Sequence, residues 1–234
     1  VGWGSSAAST ALLQYEIDTH MVDLAKQFGE DDAVLAYGKC AEAIELVADK
    51  ARDIRDVEFA HMDSLYYASK RSHEGALRDE CALRERHGFE VELVETVALQ
   101  DRFGIEAPVA ILSKQAARVD PYRMAYRLLM RLQKRGAQIY DRTHVETIQA
   151  TPRGIRLQTV EGHTVRADHL VLAAGYASQH WLKQKVARNR SSYAWISDPL
   201  DAQSLGPLKH TMVWESARPY LYMRSTGDGR LPVG

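Results

Sequence analysis

Chemistry in this chain has few places to sit. Nine histidines and two cysteines are spread singly over 234 residues. There is no G-x-S-x-G elbow, P-loop or HExxH pair, so no nucleophile–base pair, phosphate cradle or metal ligand set is composed in the sequence. Three kinds of group remain. Arg218 and Arg224 can clamp a carboxylate, because a guanidinium offers it a two-pronged match, and Tyr222 lies between them. Tyr66 and Tyr67 can line a substrate cavity, although such tyrosines more often sit half-buried in a sheet with one polar tip in water. The run Gly4-Ser5-Ser6-Ala7-Ala8-Ser9-Thr10-Ala11-Leu12-Leu13 is dense in small side chains. Serine and threonine at this density often simply cap a helix. The functional alternative is that they let a flat ring lie against the backbone while hydroxyls and amides bond its polar edge.

The elements that would position these groups follow from periodicity. Helices are expected over Asp18 to Gly29 and Asp31 to Arg55, the second with Ala33, Leu35 or Ala36, Cys40, Ala43, Ile44 and Val47 facing a core. Val57 to Phe59 and Ser64 to Ala68 read as strands. Ser72 to His87 reads as a surface helix laced with opposite charges. Phe89 to Val94 alternates as a strand, Thr96 opens a short helix through Phe103, and Pro108 marks Ile105 to Leu112 as an edge strand. Asp120-Pro121 is the clearest helix start. That helix is expected to reach Arg135, with Met124, Leu128, Leu129 and Leu132 facing inward, and to stop at Gly136. Four short strands then follow: Ala137 to Tyr140, Val145 to Ala150, Ile155 to Val160, and the apolar run His169 to Gly175, which is composed like a strand buried on both faces. A helix over Gln179 to Val186 leads into the basic run Lys183 to Arg190, read as a solvated loop. Tyr193 to Ser197, Met212 to Glu215 and Tyr220 to Met223 are expected to form the antiparallel floor of a substrate site.

The order helix, Gly-Ala-x-Ile, Thr-x-Val-x-x-Ile, hairpin, Ala-Asp-x-Leu-Val-Leu-Ala-Ala-Gly resembles the middle of the FAD-dependent oxidoreductases of the D-amino-acid oxidase, glycine oxidase and glycerol-3-phosphate dehydrogenase type. Gly4 to Leu13 is similar to the small-residue segment these proteins place beside the flavin. Ala117-Arg118-Val119-Asp120-Pro121 and Tyr220-Leu221-Tyr222-Met223-Arg224 match two further signatures. The resemblance implies an α/β (mixed α+β) chain, part FAD-binding domain and part antiparallel-sheet substrate domain. It implies FAD as cofactor, with Ser5, Ser6, Ser9, Thr10 and Leu12 beside the flavin, Val145 at its adenine end, and Ala174 and Gly175 near its pyrophosphate. It also implies hydride transfer from a small amine, amino acid or hydroxy acid, chemistry in which the protein mainly positions and desolvates. Residue chemistry, not the resemblance, makes Tyr66, Arg218, Tyr222 and Arg224 the candidates to face the substrate; in amino-acid oxidases of this family the carboxylate-binding arginine typically comes from a later segment. Ala8 and Ala11 stand where glycerol-3-phosphate dehydrogenases carry basic residues, which weakens that alternative. A non-catalytic α/β interaction module on the same scaffold is the other alternative. The family's opening GxGxxG unit has no counterpart here, so an internal piece of a longer flavoprotein is expected, inactive and poor at retaining FAD by itself.

The resemblance divides the chain at 1–55 (flavin-side helices), 56–119 (substrate or lid region), 120–186 (helix, meander and strand of the FAD-binding domain) and 187–234 (substrate-domain strands). Bulk properties add exclusions. A net charge of −1, from 30 basic and 31 acidic residues, gives no general pull toward nucleic acid or an anionic membrane. No apolar run approaches the roughly 20 residues of a bilayer span, and no signal peptide is visible. Cys40 and Cys81 fall in separate helical patterns, so reduced thiols, no metal and a cytoplasmic location are expected. A small-molecule substrate is the expected partner; oligomeric state is not encoded legibly.

Overall fold

The computed structural model describes residues 2–184, 186–188 and 191–234. In chain order it contains α1 (Ser5–Ala8), β1 (Leu12–Gln14), α2 (Met21–Phe28), α3 (Glu30–Ile54), β2 (Ala60–Tyr67), α4 (Glu74–Arg86), β3 (Val91–Glu95), α5 (Thr96–Phe103), β4 (Val109–Arg118) and α6 (Pro121–Lys134). After these come β5 (Val145–Thr151), β6 (Gly154–Thr159), β7 (Thr164–Ala167), β8 (Trp195–Ile196), α7 (Ala202–Leu205), β9 (Thr211–Glu215), β10 (Tyr222–Met223) and β11 (Pro232–Val233).

An eight-stranded mixed sheet runs β1-β4-β2-β9-β10-β11-β8, with β3 also paired to β4. It joins strands from both ends of the chain. β2 lies antiparallel to β4 on one side and parallel to β9 on the other, Leu65 facing Val213. Far from being an edge, β4 is the most heavily paired strand: β2 follows one of its sides, while β3 and β1 share the other in series. Pro108 stands just ahead of Val109, so its missing N–H interrupts no ladder. Val109 to Ser113 are all buried, as a centrally placed strand covered on both faces requires.

On one side of this sheet α2, α3 and α4 pack together. The buried stripe of α3 is Ala33, Tyr37, Ile44, Ala48 and Ala51. Leu35, expected inward, is instead exposed, and Cys40 packs only partly. A larger correction concerns α4. Its charges do not all face water: Glu80 and Arg84 are 0 % exposed and share a buried face with Leu77 and Cys81. The Arg84 guanidinium bridges Glu80, with Nε donating to Oε1 at 2.8 Å, and Glu16, with Nη1 donating to Oε1 at 3.3 Å. Its Nη2 makes a close ionic contact with Glu80 at 2.7 Å, off the hydrogen-bonding direction. Glu80 also accepts from the backbone N–H groups of Met21 and Val22 and from the Tyr37 hydroxyl. One carboxylate therefore closes the start of α2 and pins α3. The guanidinium lies 5.6 and 5.3 Å from the Tyr15 and Tyr37 ring centres.

The antiparallel sheet β5-β6-β7 realises two of the expected strands and adds β7. Ala137 to Tyr140 and His169 to Gly175 form no strand, and Val171 is 84 % exposed. A continuous apolar run becomes a buried strand only when neighbouring strands bond both its edges. Among the described residues no strand lies beside it. The inward face expected of α6 is similarly open: Met124 packs against Val57 and Val119, whereas Leu132 is exposed. Gly175 to Trp181 is a 3₁₀ turn in place of the expected helix, and Lys185, Asn189 and Arg190 of the basic run lie outside the described residues. Both cysteines are free thiols, and no helix of the described residues is long and apolar enough to cross a membrane.

The buried triad carries more negative than positive charge, and its carboxylates respond oppositely. Burial works to raise the pKa of Glu80, but the Arg84 charge and the two α2 amides outweigh it and hold Glu80 low. Burial dominates at Glu16 and raises it. Glu80 thus contributes stability above the ordinary glutamate pKa of about 4.3 that is lost as pH falls through its folded value. Ionised Glu16 does the reverse, so the fold loses stability as pH rises from that ordinary value through its raised one. In denaturant melts Arg84→Met should lose roughly 3–5 kcal/mol, because it strands two buried carboxylates. Glu16→Gln should gain on the parent as pH rises. A pH-independent gap between Glu16→Gln and parent would show that Glu16 titrates normally.

Candidate active site

Gly4 is followed by the single turn of α1, after which the chain swings through Thr10 and Ala11 into β1. Ala11 holds a φ of 47°, a left-handed conformation that costs a non-glycine residue on the order of 1 kcal/mol, and its N–H bonds the Ser9 hydroxyl at 3.1 Å. The turn is fastened from across the sheet. Arg224, on the segment leaving β10, donates from Nε to the Thr10 carbonyl, from Nη1 to the Ser225 carbonyl at 3.0 Å and from Nη2 to the Val119 carbonyl at 3.1 Å. Only 4 % of Arg224 is exposed. Expected as a carboxylate clamp, it is instead committed to three main-chain carbonyls.

Ser5, Ala7, Ala8, Ser9 and Thr10 line a cleft of about 1020 Å³ together with Tyr193 to Ile196, Tyr222 and Arg224, and its lining extends to Tyr176. A second pocket, about 260 Å³, is lined by the same turn. It shares Ser9, Thr10 and Tyr222 with the cleft and adds Leu12, Gln14, Trp214 and Tyr220. Its aromatic walls are mutually braced. Trp214 stacks on Tyr66 with ring centres 3.8 Å apart and donates its indole N–H to the Ser64 hydroxyl at 3.0 Å. Tyr220 packs edge-on to Trp214 at 6.5 Å and beside Tyr222 at 5.5 Å. Burial, reinforced by the Asp18 charge, raises the Tyr220 pKa, so the phenol stays protonated. Oε1 of Gln14 is buried with no hydrogen-bond partner among the described residues.

A third cavity, about 310 Å³, contains Tyr66 and Arg218 with Asp18, His20 and His73. Here Nε2 of His20 meets the Tyr66 hydroxyl at 3.0 Å, and burial lowers the histidine pKa, keeping it neutral. The Arg218 guanidinium lies 4.8 Å from the Tyr220 ring centre and donates to the Asp18 carbonyl at 3.2 Å. It has no carboxylate partner among the described residues.

Of the residues singled out by sequence, Ser5, Ser9, Thr10, Tyr222 and Arg224 thus meet at one cleft, and Leu12 lies in the pocket adjoining it. Ser6 is exposed on α1 and lines neither. Val145 is half-buried at the start of β5, opposite Thr159. Ala174 and Gly175 are exposed and immediately precede Tyr176, which lines the cleft. Tyr66 and Arg218 flank the aromatic pocket from behind. Trp214 and Tyr220 lie on segments the sequence offered as the floor of a substrate site, though not as named lining residues, whereas Gln14, at the end of the small-residue run, carried no such signal.

Solved structures with this fold include glycine oxidase from Geobacillus kaustophilus (18 % identity, TM-score 0.74, covering 100 % of this chain and 61 % of that one). Iminodiacetate oxidase from Chelativorans sp. BNC1 is similar (17 % identity, TM-score 0.69, 98 % and 61 % covered). So is the L-amino acid deaminase from Proteus myxofaciens in complex with anthranilate (12 %, TM-score 0.68, 98 % and 49 %). The chain spans about three-fifths or less of the length of each of these three proteins. Comparison with curated protein sequences gives no significant match. The sequence model of the family described as "FAD dependent oxidoreductase" matches residues 1–234, and with the mixed sheet, the small-residue wall and the open cleft in place, the chain belongs to that family of FAD-dependent flavoproteins.

Proposed function

We propose that the protein oxidises a small amino acid or related amine, with a hydroxy acid as the other chemistry of this class, at a carbon held in the aromatic pocket. The observation that carries this reading is the shared turn at Ser9 and Thr10. It places a small pocket with aromatic walls directly against the long cleft. The cleft suits FAD. Its wall presents hydroxyls and side chains small enough for a flat ring to approach the backbone, and Arg224, a buried cation, stands beside it. Ser5, Ser9 and Thr10 would hold the ring's edge, and the rim near Gly175 and Tyr176 would receive the rest of the dinucleotide. Bound FAD supplies a two-electron acceptor for the hydride of the substrate C–H bond.

The chain's own residues supply placement. Trp214, Tyr220 and Tyr222 exclude water and offer ring faces to a cationic or neutral amine. Gln14 lines the same pocket, and its side-chain amide can accept a hydrogen bond from the substrate nitrogen. Arg218, which keeps N–H donors beyond those used on Asp18 and Ala217, can engage a substrate carboxylate at the edge of Tyr220. No basic side chain lines the small pocket itself, and a doubly charged phosphate would need more than the single Arg218 offered to a carboxylate, which disfavours the glycerol-3-phosphate reading.

The protein encoded by the natural gene, purified and scanned between about 350 and 500 nm, should show flavin bands. These should bleach anaerobically on adding the right amino acid; a colourless protein that refuses FAD would refute the reading. Arg218→Met should raise KM for carboxylate-bearing substrates by about tenfold or more while leaving decarboxylated amines little affected. Gln14→Leu should raise KM for both. Equal effects of Arg218→Met on acids and plain amines would remove Arg218 from substrate recognition.

A further inference from the structure

Trp214 forms one wall of the aromatic pocket, and the groups that hold it from behind lead into the helical layer. Its indole N–H goes to the Ser64 hydroxyl at 3.0 Å, and its ring stacks on Tyr66 at 3.8 Å. Ser64 and Tyr66 stand two residues apart on β2, so their side chains share one face of the sheet. That face is covered by α4, since Leu77 and Cys81 pack into the same cluster as Tyr66 and Trp214. Ser64 is fully buried, and its hydroxyl also acts on Glu16. Burial opposes charge on Glu16; Arg84 and the residue's own N–H favour it, Glu80 opposes it, and the Ser64 hydroxyl favours it. The other groups around Glu16 keep one charge. Glu80 is held low, Arg84 stays charged between its carboxylates, and burial keeps the Tyr15 and Tyr37 phenols protonated. The Ser113 hydroxyl, opposite Ser64 across the β2–β4 pair, acts on Tyr15. His20, lowered by burial and bonded to the Tyr66 hydroxyl, is the other group able to titrate behind this wall.

We infer that Glu16 is a positioning residue for the substrate: once ionised it draws the Ser64 hydroxyl proton toward itself, and Ser64 in turn grips the Trp214 indole more tightly. The inference rests on reading the aromatic pocket as the substrate site. A hydroxyl that donates to a carboxylate becomes a better acceptor, because each bond in a chain polarises the next, and burial strengthens the effect. Ionised Glu16 thus fixes the Trp214 ring and enriches the electrons it presents to a substrate ammonium. The charge that weakens the fold firms the pocket.

The test follows the NMR signal of the Trp214 indole N–H in the FAD-containing natural protein, assigned by its loss in Trp214→Phe. In the parent this proton should move downfield as pH rises through the raised pKa of Glu16. Over the same interval KM for the amino acid that bleaches the flavin should fall relative to Glu16→Gln, with kcat changing less. Glu16→Gln should abolish the indole titration. Ser64→Ala should abolish it too and raise KM about fivefold, as the loss of one buried hydrogen bond implies; if that variant fails to fold, Glu16→Gln decides. Tyr66→Phe, which deletes the His20 contact and keeps the stacking, should leave the titration in place. A titration that survives Glu16→Gln and vanishes in Tyr66→Phe would assign it to His20 and overturn the inference. So would an indole signal indifferent to pH, or one that titrates while KM follows the same pH course in parent and Glu16→Gln. Failure of the proposed oxidation shows separately, as a flavin that no amino acid bleaches, whatever the Trp214 signal does.

Discussion

A single buried guanidinium organises the helical side of the molecule. Arg84 has no access to water, and a charge so placed must find its counter-charges within the protein or unfold it. It finds Glu80 one turn away on α4 and Glu16 on the segment after β1. Through Glu80 the same network reaches the first amides of α2 and the Tyr37 hydroxyl of α3. Three helices and the exit from β1 are thereby registered against each other. Because β1 is only three residues long and pairs solely with the end of β4, fixing its far end fixes the turn before it. That turn is the wall of the cleft.

Arg224 does for the front of the turn what Arg84 does behind it. One guanidinium answers two carboxylates and the other answers three carbonyls, which is why their pKa values move in opposite directions. Between these anchors the strained Ala11 and the small side chains before it are held open to the cleft. The parallel pairing of β2 with β9 then brings Trp214 over Tyr66, and the short β9-β10 pairing brings Tyr222 to the same turn. The aromatic pocket is therefore a product of contacts between residues some 150 to 200 positions apart in the chain.

Much of this was legible beforehand where local chemistry decides. The Asp120-Pro121 start appears as drawn, with Asp120 accepting from the Arg123 N–H. The helix Thr96 to Phe103 and the hairpin around Gly154 also appear, the latter where a Cβ would meet the Ala167 carbonyl at 2.5 Å. The small-residue run led to the cleft because only such residues let a ligand near the backbone. Composition misled where a partner decides. The Leu77, Glu80, Cys81, Arg84 spacing marks one helical face, yet charge suggested solvent; the α2 amides, the Tyr37 hydroxyl and Glu16, all distant in sequence, are the groups that bond Glu80 and Arg84 there. The run at His169 to Gly175 has the composition of a buried strand, yet among the described residues no neighbouring strand completes it.

By itself the sequence determined the alternation of helices and strands, the helix caps and turns, the wall of small residues and the family these signatures belong to. All of these are written in residues close together along the chain. Tertiary structure alone decided that β4 is central, that Arg84 is buried, that Arg224 serves carbonyls and that Trp214, Tyr220 and Gln14 enclose a pocket beside the cleft. The physical reason is that a charge or an aromatic ring carries no fixed role until the groups that desolvate and bond it are known. Those groups arrive here from distant strands and helices whose pairing no local pattern specifies.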